Sequence, residues 1–312
     1  MKSLSGREEI TVLIPVFNAE LIINDLINKI GKALRKITNK YEIILVDDFS
    51  EDDSWNKIKK ITAKNSNIHG YRLYRNLGVD NAITEGLKIS KGNFVCIMTC
   101  DMTDPINQIK PMYDKIKKSK VDIICAHYKN KHPESFFSKI FSSFYWKIFS
   151  FLIGEKYPVE EGLYRLLSRK AVISYLANKN KFKHIKITHT LGLKKDFIEM
   201  SQGLRRFGKS GFNLKKKVEF AIDYITTYSY KPLLYSSMLG LSLSVMFVIL
   251  GSFTIIFKLL GYIDVPGWSS IIVFTSFISA IIFLNLAIIG IYLSRNIEET
   301  KYSCDTNIMD KT

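Results

Sequence analysis

The stretch IMTCDMTDP, residues 97–105, ends an apolar run abruptly in two carboxylates, Asp101 and Asp104, followed by Pro105. A second acidic pair, Asp47 and Asp48, closes the segment YEIILVDD. Carboxylates at the end of a buried strand stand at the rim of a sheet, where water, a metal or a ligand can reach them. Hard divalent cations take oxygen ligands. A nucleotide diphosphate supplies most of those oxygens itself, so a protein need offer only one or two carboxylates. Asp101 and Asp104 suit that task, and Asp47 or Asp48 could accept hydrogen bonds from a base or a ribose. Read singly, each pair could equally do no more than end a strand and cap the next helix.

The elements around these residues decide whether they can meet. Five runs rich in β-branched residues read as strands: 10–17, 41–48, 68–76, 93–99 and 121–127. Between the first two, residues 21–37 repeat apolar side chains three and four apart, as a helix does. Further helices are expected from a cap at Ser50 or Asp52 to about Ala63, near 79–90, and after Pro105. Strand and helix alternating in this way predict an open, mostly parallel α/β sheet, which binds ligands at the carboxyl ends of its strands. Asn18, Asp47, Asp48, Asn76 and Asp101 all fall at such ends.

Of 312 residues, 47% are hydrophobic while 24% are charged, a combination that points to segregation of a polar part from an apolar one. No charged residue lies between Pro232 and Phe257 or between Val265 and Ser294. About 20 apolar residues cross a bilayer core, so two transmembrane helices are expected. Residues 1–231 hold 41 basic and 24 acidic side chains, an excess of 17, against +16 for the whole chain, so all of the positive excess lies there. Lys215, Lys216, Lys217 and Lys231 precede the first stretch and Arg295 follows the second, which places both ends in the cytoplasm. A basic domain held at a membrane faces anionic headgroups and anionic substrates. Nucleic acid is not an expected partner, because no recognition motif for it is present. The segments 134–154 and 213–232 are amphipathic and suit helices lying in the membrane interface, although the first could also pack on the sheet. Cys96, Cys100, Cys125 and Cys304 form no CxxC pair and read as reduced thiols; the five histidines form no metal pattern. No apolar signal segment opens the chain.

The motifs IPVFNAE, EIILVDDFSEDDS, RNLGVDNAITEGLKISKGNFVCIMTCDMTDP, EGLYRLLSRKAV and RRFGKSGF occur in the order and spacing of family 2 glycosyltransferases. Within that family the chain resembles the branch of dolichyl-phosphate mannose synthase and the bacterial polyprenyl-phosphate glucosyltransferases. The two apolar stretches and the tail GIYLSRNIEE resemble the bacterial members. The resemblance runs from about residue 10 to 300. It implies a GT-A type, Rossmann-like fold at residues 1–210, an interfacial segment at 211–232, two transmembrane helices within 233–295 and a cytoplasmic tail at 296–312. Pro15, Phe17, Glu20, Asp47, Asp48 and Asn76 would line the nucleotide-sugar pocket. Asp101 matches a metal-binding aspartate and Asp104 the acidic position after it, for Mg²⁺ or Mn²⁺. Arg165 matches a phosphate-contacting arginine, and Arg205, Arg206, Lys209 and Ser210 fall in or beside a loop near the acceptor.

The chain departs from the family pattern at four places. Thr99 replaces the first aspartate of the metal motif, Tyr128 an arginine, Ala19 an acid and Phe49 a glycine. The expectation is a membrane-bound inverting glycosyltransferase at the cytoplasmic membrane. It would move a hexose from a nucleotide diphosphate sugar to polyprenyl (undecaprenyl) phosphate, using Asp101, Arg165, Arg205 and Lys209, with self-association suggested by its relatives. A phosphate acceptor is already an anion and needs no general base; Glu160 and Glu161 are the nearest candidates if the acceptor were a hydroxyl of a lipid-linked saccharide. An inactive membrane scaffold is the third reading.

Overall fold

The computed structural model describes residues 9–128, 161–178, 191–200, 231–260 and 308–312 continuously, with isolated positions between 147 and 293. The chain divides into two units: Met1–Phe136, Pro158–Ser210 and Cys304–Thr312 form the first, and Phe137–Tyr157 with Gly211–Ser303 the second.

The first unit is built on strands β1 (Ile10–Val16) and β2 (Tyr41–Asp47), each buried along its whole length. A parallel strand covered on both faces must be apolar throughout, which is why these runs do not alternate in sequence. Helices α1 (Ile23–Arg35), α2 (Ser54–Thr62) and α3 (Val79–Ile89) follow β1, β2 and β3 (Ile68–Leu73) in turn. Ile10, Val12, Ile14 and Val16 of β1 join one core with Ile23, Leu26, Ile30 and Leu34 of α1 and with Trp55 and Ile58 of α2. Leu13 points the other way, as the period of two requires, and meets α3. A Cβ on Gly86 would lie 2.1 Å from Leu13 Cδ1, so the helix lies flush on the strand only because glycine stands there. Strand β4 (Phe94–Ile97) is followed by a 3₁₀ turn (Ile106–Gln108) and α4 (Ile109–Ser119).

Strands β5 (Ile123–Tyr128), β6 (Glu161–Ser168), β7 (Lys195–Met200) and β8 (Ile308–Lys311) complete an eight-stranded sheet in the order β7-β5-β6-β4-β1-β2-β3-β8. The central four, β3-β2-β1-β4, are parallel, and β5 and β7 also run parallel to each other. Strand β6 is antiparallel to both β4 and β5, and β8 is antiparallel to β3. The five strands and four helices expected up to residue 128 are all present. Strands β6, β7 and β8 and helix α5 (Arg169–Ala177) were not anticipated. Ser168 caps α5, its Oγ accepting from Ala171 N–H at 3.2 Å. The cap expected at Ser50 or Asp52 is displaced by one residue: Asp53 precedes α2, while Asp52 bonds the N–H groups of Ser54 and Glu20.

In the second unit, α6 (Lys231–Leu259) runs 29 residues through the first uncharged stretch. Among the described residues no helix is long and apolar enough to cross a membrane, so the two expected spans are not established. Tyr235 of α6 stacks on Phe151, with ring centroids 5.6 Å apart. The remainder of the segments 134–154 and 213–230 lies outside the described residues, apart from isolated positions.

Candidate active site

From β1 the chain steps outward to β2 and β3 on one side, while β4 lies on the other. That reversal opens a crevice at the carboxyl ends of β1 and β4, where open α/β sheets take their ligands. Non-glycine residues with left-handed backbone stand just beyond three neighbouring strands: Asn18 (φ 49°) after β1, Phe49 (φ 60°) after β2 and Met102 (φ 59°) after β4. Backbone in that region is uncommon for such residues and collects at ligand sites.

At the end of β2, Asp47 is fully buried and accepts from Ser50 N–H, 3.3 Å from each carboxylate oxygen. Its register neighbour on β3 is Arg72. Arg72 Nε lies 3.2 Å from Asp47 Oδ2 but without hydrogen-bond alignment, so the contact is Coulombic. Asp48 accepts from Leu77 N–H at 2.7 Å and Gly78 N–H at 2.9 Å. Burial pushes the Asp48 carboxyl up to about 6, against those two bonds and helped by the charge on Asp47. Burial also raises Asp47.

The loop after β4 is held differently. Thr99 Oγ1 lies 2.7 Å from Asp101 Oδ1 and 2.9 Å from Asp104 Oδ2. One hydroxyl proton serves one of these carboxylates at a time, so Thr99 ties the pair together. Asp101 Oδ1 also takes Thr103 N–H at 3.1 Å and Thr103 Oγ1 at 2.6 Å. Asp104, nearly buried, accepts from Thr99 N–H at 2.7 Å and, on its other oxygen, from Tyr128 OH at 2.5 Å. Burial raises the Asp104 carboxyl and, together with the neighbouring aspartates, the Tyr128 phenol. A Cβ on Gly162 of β6 would stand 2.4 Å from the Tyr128 ring, so that glycine makes room for it.

The other expected residues are placed as follows. Pro15 is buried within β1, while Phe17 and Asn76 are exposed. Glu20 reaches across to α2, its Oε2 accepting from Asp53 N–H at 3.0 Å and its carbonyl from Lys57 Nζ at 2.8 Å. Arg165 is completely buried in β6, paired in register with Ile97, and donates to the carbonyls of Gly162, Leu163 and Ile185. Arg205, Arg206, Lys209 and Ser210 lie outside the described residues. Sequence reasoning missed Gly203, whose N–H donates to Thr103 O at 2.9 Å and brings the chain to the acidic loop two residues before Arg205.

Among the described residues no three His, Cys, Asp or Glu side chains converge on a self-contained metal site. The loop after β4 offers hard oxygens instead, with Asp101 oriented by Thr99 and Thr103. That donor set fits Mg²⁺ or Mn²⁺ whose remaining ligands come from a diphosphate.

The sequence matches glycosyl transferase family 2 over residues 11–176, just over half of the chain and including both acidic loops. The chain belongs to glycosyl transferase family 2. It is 28% identical over 305 residues to the uncharacterized glycosyltransferase YkcC of Bacillus subtilis, covering 96% of this chain and 92% of that one. It is 25% identical over 296 residues to the bactoprenol glucosyl transferase of Shigella phage SfV, covering 94% and 96%. Among solved structures, glucosyl-3-phosphoglycerate synthase from Mycobacterium tuberculosis, in complex with Mn²⁺, UDP and glucosyl-3-phosphoglycerate, superposes with a TM-score of 0.50 at 18% identity. That match covers 72% of this chain and 79% of the synthase, and it establishes the GT-A-like fold of this family 2 glycosyltransferase.

Proposed function

We propose that this glycosyltransferase moves a hexose from a nucleoside diphosphate sugar to a polyprenyl phosphate, at the cytoplasmic face of a membrane. The observation that carries the reading is the acidic loop at the switch point. There Asp101 is held by Thr99 and Thr103, and Gly203 docks the chain before Arg205 on the same loop. The bactoprenol relative and the uncharged stretches 232–257 and 265–294 support the lipid acceptor and the membrane.

The reaction is a single displacement with inversion. A phosphate oxygen of the acceptor bonds to the anomeric carbon as that carbon's bond to the diphosphate breaks, and the electron pair leaves with the nucleoside diphosphate. The nucleophile is already ionised, so no side chain need take a proton. Asp101 would hold Mg²⁺ or Mn²⁺, which would supply positive charge against the leaving diphosphate. Asp104, with both oxygens engaged by Thr99 and Tyr128, anchors the loop. Asp47 and Asp48 fix the donor loops. Arg205, Arg206, Lys209 and Ser210 grip the acceptor phosphate, arginine doing so with its fork of donors. Arg165 acts one layer back, fastening β6 to residue 185. Residues 211–232 lie at the interface, 233–295 contain the spans, and the enzyme self-associates.

The test is transfer from a panel of radiolabelled nucleoside diphosphate sugars into organic-extractable lipid, with purified protein, undecaprenyl phosphate and Mn²⁺ or Mg²⁺. Label that disappears in Asp101→Ala supports the reading. No transfer from any donor by folded protein sinks the phosphate acceptor. Loss of activity in Glu161→Gln would favour a hydroxyl acceptor, which needs a base.

A further inference from the structure

Phe49 occupies a position that its residue type makes costly. Its φ of 60° lies in the left-handed region, which disfavours a bulky side chain and which glycine adopts freely. Burial does not compensate, because 38% of the residue remains exposed. The ring is nevertheless well placed. The Arg72 guanidinium carbon sits 4.9 Å from its centroid, within cation–π range. Arg72 is itself fixed, by Asp47 at 3.2 Å and by the Ser50 carbonyl, which accepts from Nη2 at 2.9 Å. Asp48, the preceding residue, is locked by two main-chain amides. A rigid cluster thus backs an exposed ring at the end of β2, next to the 44% exposed Phe17 at the end of β1.

We propose that Phe49 is a further binding residue of the donor site, its ring serving as a platform on which the nucleobase of the nucleoside diphosphate stacks. The inference rests on the proposed function and deepens it, since it concerns which part of the donor this strand end reads. Backbone strain kept at an exposed position is the mark of a residue retained for contact with something else. A base offers a flat π-face, which stacks on an aromatic ring whatever its sequence identity. Arg72 behind the ring holds its plane in one orientation, so the stacked base does not have to order the platform on arrival. Under the proposed function the diphosphate is held separately, at the loop after β4.

The experiment is calorimetric titration of the full chain in detergent, with Mn²⁺ present, using UDP, GDP, CDP, TDP and ADP and, separately, inorganic pyrophosphate. Phe49→Gly removes the ring while suiting the left-handed backbone, Phe49→Leu keeps bulk without a π-face, and Phe49→Tyr keeps the ring. The preferred nucleoside diphosphate should bind about five- to thirty-fold more weakly to the Gly and Leu variants and nearly as well to the Tyr variant. Pyrophosphate affinity should not move in any of them. Wild-type affinity for nucleoside diphosphates in both the Gly and Leu variants would overturn the proposal and leave the proposed function standing. Parallel weakening of nucleotide and pyrophosphate would assign Phe49 a merely structural role and also overturn it. A wild-type protein that bound none of the nucleotides would overturn both this inference and the donor reading beneath it.

Discussion

Two strand ends in the first unit carry the same feature, a pair of aspartates where a buried strand meets the crevice, and the fold treats them differently. After β2 the described partners are the main-chain amides of Ser50, Leu77 and Gly78, the Ser50 hydroxyl and the cation of Arg72. After β4 they are mostly hydroxyls, those of Thr99, Thr103 and Tyr128. An amide is fixed by its backbone and a guanidinium cancels charge, so the β2 pair is the more firmly held of the two. A hydroxyl rotates, donates or accepts, and leaves the carboxylate's charge in place. The kind of partner, more than the presence of an acid, separates a firmly held pair from one able to exchange its contacts for a metal and a diphosphate.

The contrast breaks first at Asp101. Asp101→Ala should lower transfer by about 10²–10³-fold while the thermal midpoint stays close to wild type; a loss of only a few-fold would put the β4 pair in the scaffold. Arg72→Ala should do the reverse. It leaves the fully buried Asp47 without its cation, and the stability loss read by urea denaturation should be about 2–3 kcal/mol, below the cost for a completely buried pair because Arg72 is partly exposed. Tyr128→Phe sharpens the comparison within the β4 loop. Losing one donor to the nearly buried Asp104 should cost about 1–2 kcal/mol, with a smaller effect on transfer than Asp101→Ala.

The smallest effect is a slope in pH. A carboxyl raised to about 6 from an ordinary 3.8, as Asp48 is, holds its proton more tightly folded than unfolded. Folding stability from this group is therefore highest below about pH 4, falls as pH rises to about 6, and is flat above. Asp48→Asn should flatten that window in chemical denaturation measured across pH, and an unchanged slope would assign the dependence to another group.

The parallel core was legible because its strands are buried on both faces and its helices repeat at 3.6 residues. Both patterns survive in a single sequence. Strand β6 was not, because EGLYRLLS carries Arg165, and a charged residue in a motif reads by default as facing solvent or a ligand. Only the sheet reveals that its guanidinium is buried and donates to the carbonyls of Gly162, Leu163 and Ile185. The aspartates of the candidate site could be found by type and position, but their roles could not. Tyr128 reaches Asp104 across 24 residues of sequence, and Thr99 looked like a lost ligand until its hydroxyl was seen between two carboxylates. Strand β8 is recruited by the edge of β3 and has no pattern of its own beyond four residues.

That last strand imposes a rule of parity. Thr312 exchanges two backbone hydrogen bonds with Gly70, so the chain that departs after the first unit at Ser210 is back on the same sheet by residue 308. A path that leaves and rejoins one sheet crosses any bilayer an even number of times. For Gly211–Ser303 that permits two passages or none, and never a single anchor. The shorter excursion, Phe137–Tyr157, also begins and ends on the first unit, with 21 residues between. A there-and-back crossing needs about 40. Phe137–Tyr157 is therefore too short for a crossing of its own.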